Sequence, residues 1–379
     1  MKLETEIVHG KNALSFEEKT GAVCVPIYQS ATFKHIGLNQ STGFDYSRLS
    51  NPTRTVLEES LAQIMSAHDA LCYSSGMAAV AQVAELFKQG DKIITSEDMY
   101  GGIIRLLRNI TAKNGVEIVS IDTADLKAVE KLIDKNTKAL LIETPTNPMM
   151  RVTDIAAAAT LAHKHGALLI VDNTFLSPYF QRPLELGADI EIHSGTKYLA
   201  GHNDTLAGVV AVNSQDLSDK LRFIYKTVGA CLSPFDSFLT LRGLKTLHIR
   251  MDRINENAGK ITEFLRGQKK VTKVYYPGLK DHDGYAVSKK QASGFGGMIS
   301  FEVDSEDTVK HVLETVKVIS FAESLGGVES LITYPAVQTH ADVPKDERDA
   351  RGINTCLLRL SVGIENVKDL IDDLTNALA

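Results

Sequence analysis

Short apolar runs alternate with segments of helical spacing between about residue 60 and residue 215. Hydrophobicity within these runs is continuous, which indicates strands that are buried on both faces. Strands and helices that alternate in this way form a mostly parallel sheet with helices on both faces. The pattern therefore predicts an α/β domain whose strands fall at 91–96, 116–122, 139–144, 167–173, 189–194 and 207–212.

The pattern changes after about residue 245, where "GFGGMISFEV" and "LLRLSVG" precede a closing segment of helical spacing. We expect a second, smaller α+β domain over this part of the chain. The closing segment predicts a helix that packs on that domain, because it carries one apolar stripe, formed by Val367, Leu370, Ile371, Leu374 and Leu378.

The first fifty residues are polar and rich in turn residues, with little helical or strand spacing. They predict an extended arm, which we expect to contact a neighbouring subunit. The chain is thus divided into an arm over 1–50, a larger domain over 51–245 and a smaller domain over 246–379.

The composition, with 44% hydrophobic and 23% charged residues, is that of a globular protein with a sizeable core. A net charge of -6 gives no electrostatic footprint for nucleic acid or an anionic membrane, so we expect a small-molecule partner. The chain starts without a secretion signal, and no run is long enough to cross a bilayer, so we expect a cytoplasmic protein. The four cysteines form no CxxC pair and no histidine lies in a metal-ligand pattern, so no metal site is expected.

Polar residues follow three of the predicted strands at the point where each strand ends. They are Glu143 to Asn147, Asp172 to Thr174, and Ser194 to Lys197. Ligands of open α/β sheets gather at the carboxyl ends of the strands. These segments therefore predict the position of the site.

Lys197 follows a buried strand with no carboxylate beside it, in "DIEIHSGTKYLAGHND". Burial of an unpaired ammonium costs several kcal/mol or lowers the pKa until the amine is neutral, and a neutral amine is a nucleophile. Such a lysine forms imines with carbonyl compounds. The alternative is an ordinary solvated lysine, and these residues alone leave it open.

A possible anion site begins at Gly76 and Met77 in "SSGMAA", where a turn opens a segment of helical spacing. Free backbone N–H groups and the helix dipole favour a phosphate at such a helix start, although an N-cap without a ligand is the commoner case. Ser194 and Thr196 add two hydroxyl donors directly before Lys197.

Asp172 lies at the end of one predicted strand, and Tyr100 follows the end of another. A carboxylate beside a pyridine nitrogen keeps that nitrogen protonated, whereas the plain alternative for Asp172 is a helix cap or turn. An aromatic ring can stack on a flat cofactor and its phenol can relay protons, whereas the plain alternative for Tyr100 is packing.

Eight motifs follow one another along the chain, namely "DYSRLSNPTR", "SSGMAA", "DMYGG", "ETPTNP", "VDNTF", "HSGTKYLAGH", "SLGGVESL" and "LRLSVG". In this order they resemble the Cys/Met-metabolism group of fold-type I enzymes, which use pyridoxal phosphate (PLP) and include cystathionine γ-synthase, γ-lyase and β-lyase. The resemblance covers essentially the whole chain and implies the fold-type I architecture, a PLP cofactor and amino-acid substrates.

The resemblance implies a role for each matching residue. Lys197 would carry the cofactor as an imine, Asp172 would face the pyridine nitrogen, and Tyr100 would stack on the ring. The phosphate would be held by Gly76, Met77, Ser194 and Thr196.

Further implied roles concern the substrate and a second subunit. Tyr46 and Arg48, on the arm, would complete the phosphate site of the adjacent subunit in a homotetramer. Asn147 and Arg359 would orient the cofactor's phenolic oxygen and the substrate α-carboxylate, and Ser324 would lie near the reacting lysine.

Glu323 in "FAESLGG" indicates which reactions of this group are expected. By resemblance, the γ-synthase and the γ-lyase carry a glutamate here that receives the distal amino group of cystathionine. Segments "PFDSFL" and "GHND" favour γ-replacement on O-acyl-homoserine with cysteine, and γ-elimination of cystathionine stays as the alternative. A scaffold that has lost its chemistry is a remote third reading, because Lys197 and Asp172 are both present.

Overall fold

The larger of two sheets has seven strands in a computed structural model that describes residues 1–10, 21–341 and 343–379. The strand order is β1-β7-β6-β5-β4-β2-β3. Strand β7 runs antiparallel to both neighbours, and the other neighbouring pairs are parallel. The bounds are β1 (Asp69–Tyr73), β2 (Lys92–Ser96), β3 (Glu117–Ile121), β4 (Thr137–Glu143), β5 (Leu168–Asp172), β6 (Ile190–Ser194) and β7 (Gly208–Val212).

The predicted α/β class and its mostly parallel sheet are confirmed, and each predicted strand is present within about two residues. Strand β1 was not predicted. Its apolar run spans only Ala70 to Tyr73, at the short limit for a strand, and periodicity alone does not distinguish so short a run from a buried helical segment.

Helices cover both faces of this sheet, because successive residues of each strand point to opposite sides. Leu140 and Ile142 of β4 pack into one apolar core, whereas Ala139 and Leu141 pack into the other. The helices up to the start of the smaller domain are α1 (Leu3–His9), α2 (Pro52–Ile64), α3 (Gly76–Ala84), α4 (Gly101–Asn109), α5 (Leu126–Leu132), α6 (Ile155–Lys164), α7 (Ser177–Phe180), α8 (Gln215–Val228), α9 (Pro234–Leu244) and α10 (Leu247–Arg266).

A second sheet forms the carboxyl-terminal part, with strand order β10-β11-β12-β9-β8. Its pairs are antiparallel except for β10 and β11. Leu370 and Leu374 of the closing helix are fully buried in its core, as the apolar stripe predicts. The bounds are β8 (Val271–Tyr275), α11 (Tyr285–Gln291), β9 (Met298–Val303), α12 (Glu306–Thr315), β10 (Ser320–Phe321), β11 (Leu331–Thr333), α13 (Lys345–Arg351), β12 (Leu357–Ser361) and α14 (Val367–Ala377).

The predicted arm starts with a helix rather than with extended chain, because Ile7 of α1 is only 2% exposed and packs into the core of the larger domain. Residues 11–20 of the predicted arm lie outside the described residues. Residues 21–50 contain no helix and no named strand, and Val23 and Leu38 are 90% and 91% exposed. The three domain boundaries and the contact of the arm with another subunit stay predictions.

Across the described ranges, every helix is too short or too polar to span a membrane.

The sheet register brings the predicted site segments together. Glu143 at the end of β4 lies opposite Asp172 at the end of β5, and Asp172 lies opposite Ile192 of β6. The start of α3 packs tightly against these strand ends, because a Cβ atom on Gly76 would lie 2.9 Å from the Cβ of Ser194. A residue without a side chain is therefore needed where α3 begins.

Candidate active site

Lys197 lies in the turn that follows β6, and its side chain reaches across to the smaller domain. Its Nζ donates a hydrogen bond of 2.6 Å to the hydroxyl oxygen of Ser324. Burial, together with the positive charge of Arg359, lowers the pKa of the Lys197 amine to about 8. About a tenth of the amine is therefore neutral and nucleophilic at pH 7, far more than for an unshifted lysine.

Arg359 of β12 is buried beside this lysine, with 1% of its surface exposed. Its guanidinium donates to the Asn147 side-chain oxygen at 2.9 Å, to the Ser324 carbonyl at 2.9 Å and to the Thr333 hydroxyl at 3.0 Å. Its Nε is buried with no hydrogen-bond partner among the described residues. Burial lowers the pKa of Arg359 to about 10, which leaves a positive charge that an anion would stabilise.

Asp172 is buried at the end of β5, where Thr174 holds one of its oxygens. The Thr174 backbone N–H and hydroxyl both donate to Oδ1, at 3.0 and 2.6 Å. Burial raises the pKa of the Asp172 carboxyl, and the two bonds from Thr174 oppose this rise. The same hydroxyl accepts from the backbone N–H of Ser194 at 2.9 Å, so Thr174 ties the ends of β5 and β6 together.

The start of α3 offers backbone donors. Ser75 is the N-cap, and its side chain accepts from the N–H of Ala78 at 3.1 Å. Within residues 1–10, 21–341 and 343–379, the N–H groups of Gly76 and Met77 have no hydrogen-bond acceptor. These two donors at a helix start form a candidate anion site.

Two predicted hydroxyl donors border this anion site and differ in their contacts. Ser194 lies against the start of α3. The Thr196 hydroxyl instead donates to the carbonyl of Ala207 at 3.2 Å and accepts from its N–H at 3.0 Å. The hydroxyl hydrogen of Thr196 therefore already takes part in a hydrogen bond to the backbone in the absence of a ligand.

Tyr100 precedes α4 with 41% of its surface exposed. Its backbone N–H donates to Glu143 at 3.0 Å, which fixes the segment to the end of β4. Burial, and the nearby charge of Asp172, raise the pKa of Glu143 well above its usual range. A Cβ atom on Gly102 would collide with the Tyr100 ring, so glycine is required for the ring to lie where it does.

One cavity of about 510 Å³ collects these groups at the carboxyl ends of the strands. Tyr46 and Arg48 are the two predicted site residues that it does not include. The Arg48 guanidinium lies 5.5 Å from the centre of the Tyr46 ring and donates to the Lys226 carbonyl. The predicted residues that line the cavity are Gly76, Met77, Tyr100, Asn147, Asp172, Ser194, Thr196, Lys197, Glu323, Ser324 and Arg359.

Some polar residues of the site were not predicted as site residues. Thr174 stands inside the quoted motif "VDNTF", where its position two residues after Asp172 was the available signal. Thr333 and Gln338 carry no local signal, because their contacts to Arg359 and Glu323 join segments 26 and 15 residues apart.

The cavity fits a flat aromatic aldehyde that carries a phosphate. Donors for the phosphate lie at Gly76 and Met77, and Lys197 supplies an amine for the aldehyde. Asp172 is a buried carboxylate that a protonated ring nitrogen would stabilise. The Nε of the buried Arg359 guanidinium has no partner among the described residues and would suit a substrate carboxylate.

Comparisons with known proteins agree with this fit. Residues 4–379 match the family model described as Cys/Met metabolism PLP-dependent enzyme. A cystathionine gamma-synthase from Haemophilus influenzae is 50% identical over 96% of this chain and 94% of its own length. A cystathionine beta-lyase from Lactococcus lactis is 47% identical over 99% of this chain and 98% of its own length.

Solved structures of the same group of enzymes also match this fold. A crystal structure of cystathionine gamma-lyase from Lactobacillus plantarum, complexed with L-serine, superimposes with a TM-score of 0.96. The two chains are 43% identical, and the match covers 100% of this chain and 98% of the other. These findings confirm the family resemblance, the fold-type I architecture and the PLP cofactor that it implied.

Proposed function

We propose that this chain, which belongs to the Cys/Met metabolism PLP-dependent enzyme family, joins O-acyl-L-homoserine and L-cysteine to give L-cystathionine and a carboxylic acid. It is a trans-sulfuration enzyme of the cystathionine γ-synthase, γ-lyase and β-lyase group, and the names of its relatives span all three. The choice of γ-replacement within this group is the proposal.

PLP supplies a carbonyl for the substrate amine and an aromatic ring that withdraws electrons from the substrate carbon. In the proposal, Lys197 attaches the cofactor and Asp172 holds the proton of the ring nitrogen. Tyr100 stacks on the ring and relays protons, and Asn147 contacts the cofactor's phenolic oxygen. The phosphate is held by Gly76, Met77 and Ser194, and by Thr196 once its hydroxyl turns from the Ala207 carbonyl to the phosphate.

Arg359 binds the substrate α-carboxylate in this proposal. A carboxylate accepts two parallel bonds from a guanidinium, which fixes the orientation of the amino acid as well as its position. The Ser324 hydroxyl holds the Lys197 amine at the adjacent position. From there the amine, with a pKa of about 8, takes a proton from the substrate α-carbon, releases that proton, and as a neutral amine again takes a second proton from the β-carbon.

The carboxylate of Glu323 supports a substrate with a distal ammonium, and the synthase-like segments "PFDSFL" and "GHND" favour γ-replacement among the reactions of such substrates. Glu323 lines the cavity and directly precedes Ser324, the residue that Lys197 contacts. The negative charge of Glu323 therefore lies next to this serine in the chain. A carboxylate there pairs with the ammonium of the incoming cysteine, which a substrate without a distal ammonium would not use.

The γ-elimination of cystathionine to cysteine, 2-oxobutyrate and ammonia is the second candidate. The same Glu323 carboxylate favours it, because the cysteine portion of cystathionine carries that distal ammonium. Both reactions use the same binding groups and differ in whether the thiol enters or leaves.

Tyr46 and Arg48 are proposed to serve the phosphate site of a neighbouring subunit in a homotetramer. They lie outside the cavity of their own chain, on a segment that exposes apolar residues such as Val23 and Leu38. Two arms that exchange between subunits would build two shared sites in a symmetric dimer.

The assay that tests the proposal compares two reactions of the purified protein with PLP. In one, O-acetyl- or O-succinyl-homoserine and cysteine are supplied and cystathionine is measured, whereas in the other cystathionine alone is supplied and 2-oxobutyrate is measured. We expect the higher kcat/KM for synthesis. A kcat/KM for cleavage that is tenfold higher than for synthesis, a difference of about 1.4 kcal/mol in transition-state stabilisation, would contradict the synthase proposal and support the lyase. No turnover in either assay would support the remaining reading, a scaffold that has lost its chemistry.

A further inference from the structure

Glu323 and Gln338 follow neighbouring parallel strands of the smaller sheet. Strand β10 ends at Phe321 and β11 ends at Thr333, and the Ala322 N–H donates to the Ile332 carbonyl at 3.2 Å. Parallel strands end at the same edge of a sheet, so the segments that follow them emerge side by side. This arrangement brings Gln338 to the cavity wall beside Glu323.

The side-chain amide of Gln338 bridges Glu323 and the backbone. Its Oε1 accepts from the N–H of Tyr334 at 2.7 Å, and its Nε2 donates to Glu323 Oε1 at 3.1 Å. A peptide N–H only donates and an ionised carboxylate only accepts, so the flipped amide would lose both bonds. The two partners therefore fix the orientation of the amide.

The backbone under Gln338 is itself held in place. The Gln338 N–H donates to the Tyr334 carbonyl at 3.1 Å, and the Tyr334 hydroxyl donates to the Thr355 carbonyl at 2.8 Å. The Arg348 guanidinium donates to the Ala336 carbonyl within the same turn. The amide thus projects from a fixed turn toward an exposed carboxylate.

We propose that Gln338 is a positioning residue that sets where the Glu323 carboxylate lies and so favours substrates with a distal ammonium. The inference rests on the proposed role of Glu323, and it holds for cysteine addition and for cystathionine cleavage alike. An exposed glutamate loses rotamer freedom when it binds a ligand. A bond made in advance to one of its oxygens lowers this loss and leaves the other oxygen for the ammonium.

The neutrality of the amide is part of the argument. A lysine or arginine at position 338 would neutralise the Glu323 charge and compete with the ammonium of the substrate. An amide donates a hydrogen bond without a charge of its own, so the negative charge stays available. An apolar side chain of similar length would fill the space but would leave the carboxylate unheld.

The test uses holoenzyme with Gln338→Met, Glu323→Gln and both together. For each variant, kcat and KM are measured separately for cystathionine cleavage, for cysteine in synthesis, and for elimination from O-acetyl-homoserine without a thiol. The last substrate has no distal ammonium and serves as the reference. Gln268→Met is the matched control, because its amide also makes a hydrogen bond, to the Phe264 carbonyl, away from the cavity.

We expect Gln338→Met to raise KM about three- to tenfold for cysteine and cystathionine, with kcat and the KM of O-acetyl-homoserine within about twofold. In the Glu323→Gln background, the same substitution should add nothing, because its partner is already lost. Equal losses for all three substrates, or additive losses in the double variant, would overturn the inference.

The proposed function is tested separately, by the activity of the unsubstituted enzyme. If that enzyme cleaves cystathionine faster than it makes it, the synthase proposal fails, and the KM ratios still decide the role of Gln338. If it acts on neither cystathionine nor cysteine, the positioning role falls with the proposed function.

Discussion

The amine of Lys197 lies 2.6 Å from the hydroxyl oxygen of Ser324, although 127 residues separate the two in the chain. Ser324 has a φ of 85°, in the left-handed region that residues other than glycine rarely adopt. Its carbonyl accepts a bond of 2.9 Å from Arg359, so one serine contacts both the lysine and the arginine. The position of the amine in the larger sheet domain is therefore coupled to the smaller sheet.

Replacement of Lys197 with alanine should remove the covalent link to PLP and leave the protein folded. The link depends on the amine, whereas the fold depends on the apolar cores on either side of the sheet. We expect the visible absorbance of the lysine-bound cofactor to disappear and turnover to fall to background, with an unchanged circular dichroism spectrum. Lys310→Ala, on an exposed side chain of α12, is the control. A Lys197→Ala protein that keeps its colour and its turnover would refute the role.

The rate at which PLP attaches to the cofactor-free protein should rise with pH through about 8. Imine formation needs the neutral amine, and burial with the Arg359 charge lowers the pKa of Lys197 from 10.5 to about 8. The neutral fraction therefore increases as pH rises through that value and is nearly complete one to two units above it. Rapid mixing with absorbance detection across this range measures the midpoint. A rate that keeps rising toward pH 10.5 would show an unperturbed lysine.

The sequence predicts the larger sheet well because its strands are buried on both faces, and continuous apolar runs record that burial. The same approach misses β1, because periodicity does not distinguish its four apolar residues from a buried helical segment. Motifs indicate Lys197 and Asp172, since Asp172 is the last residue of β5 and Lys197 lies in the turn that follows β6. Thr333 and Gln338 have no such signal, because only the packing of distant strand ends brings them to the site.

Two helical glycines should respond in opposite ways to substitution by alanine. A Cβ atom on Gly243 of α9 would overlap the Ala200 carbonyl, which belongs to the turn that follows Lys197. We expect Gly243→Ala to lower the free energy of unfolding by about 2 kcal/mol or more, because backbone has to shift. Gly259 of α10 has open space at the same position, so Gly259→Ala should raise it by about 0.5–1 kcal/mol. Urea denaturation measures both, and equal effects would show that Gly243 is not in close contact.

Arg48→Ala and Lys197→Ala should each be inactive alone and should regain activity when mixed. If Arg48 acts in the neighbouring site, a hybrid dimer contains one site with both residues intact and one with both lost. Random exchange of subunits then restores about a quarter of the normal activity. Mixing is done after partial dissociation, with exchange followed by mass spectrometry. Exchange without any recovery would place Arg48 in the site of its own chain.

Replacement of Arg359 with lysine should raise KM for O-acetyl-homoserine and for cystathionine about 10- to 100-fold, the loss expected when hydrogen bonds to a charged group worth about 1.5–3 kcal/mol are removed. Lysine keeps the positive charge but lacks the planar pair of donors that holds a carboxylate, so orientation is lost with affinity. The guanidinium also holds Asn147 and Thr333.

Because Arg359 also holds Asn147 and Thr333, its replacement could raise KM by disturbing the structure alone. Arg222→Lys is the matched control for such a structural effect. Arg222 bonds Asp69 and Glu58 with comparable geometry but lies outside the cavity. We expect its replacement to lower the melting temperature without a change in KM. For Arg359→Lys, in contrast, KM should rise more than kcat falls, and it should rise equally for O-acetyl-homoserine and cystathionine, which share the α-carboxylate. A rise confined to one of these substrates would assign Arg359 to the distal end of the substrate instead.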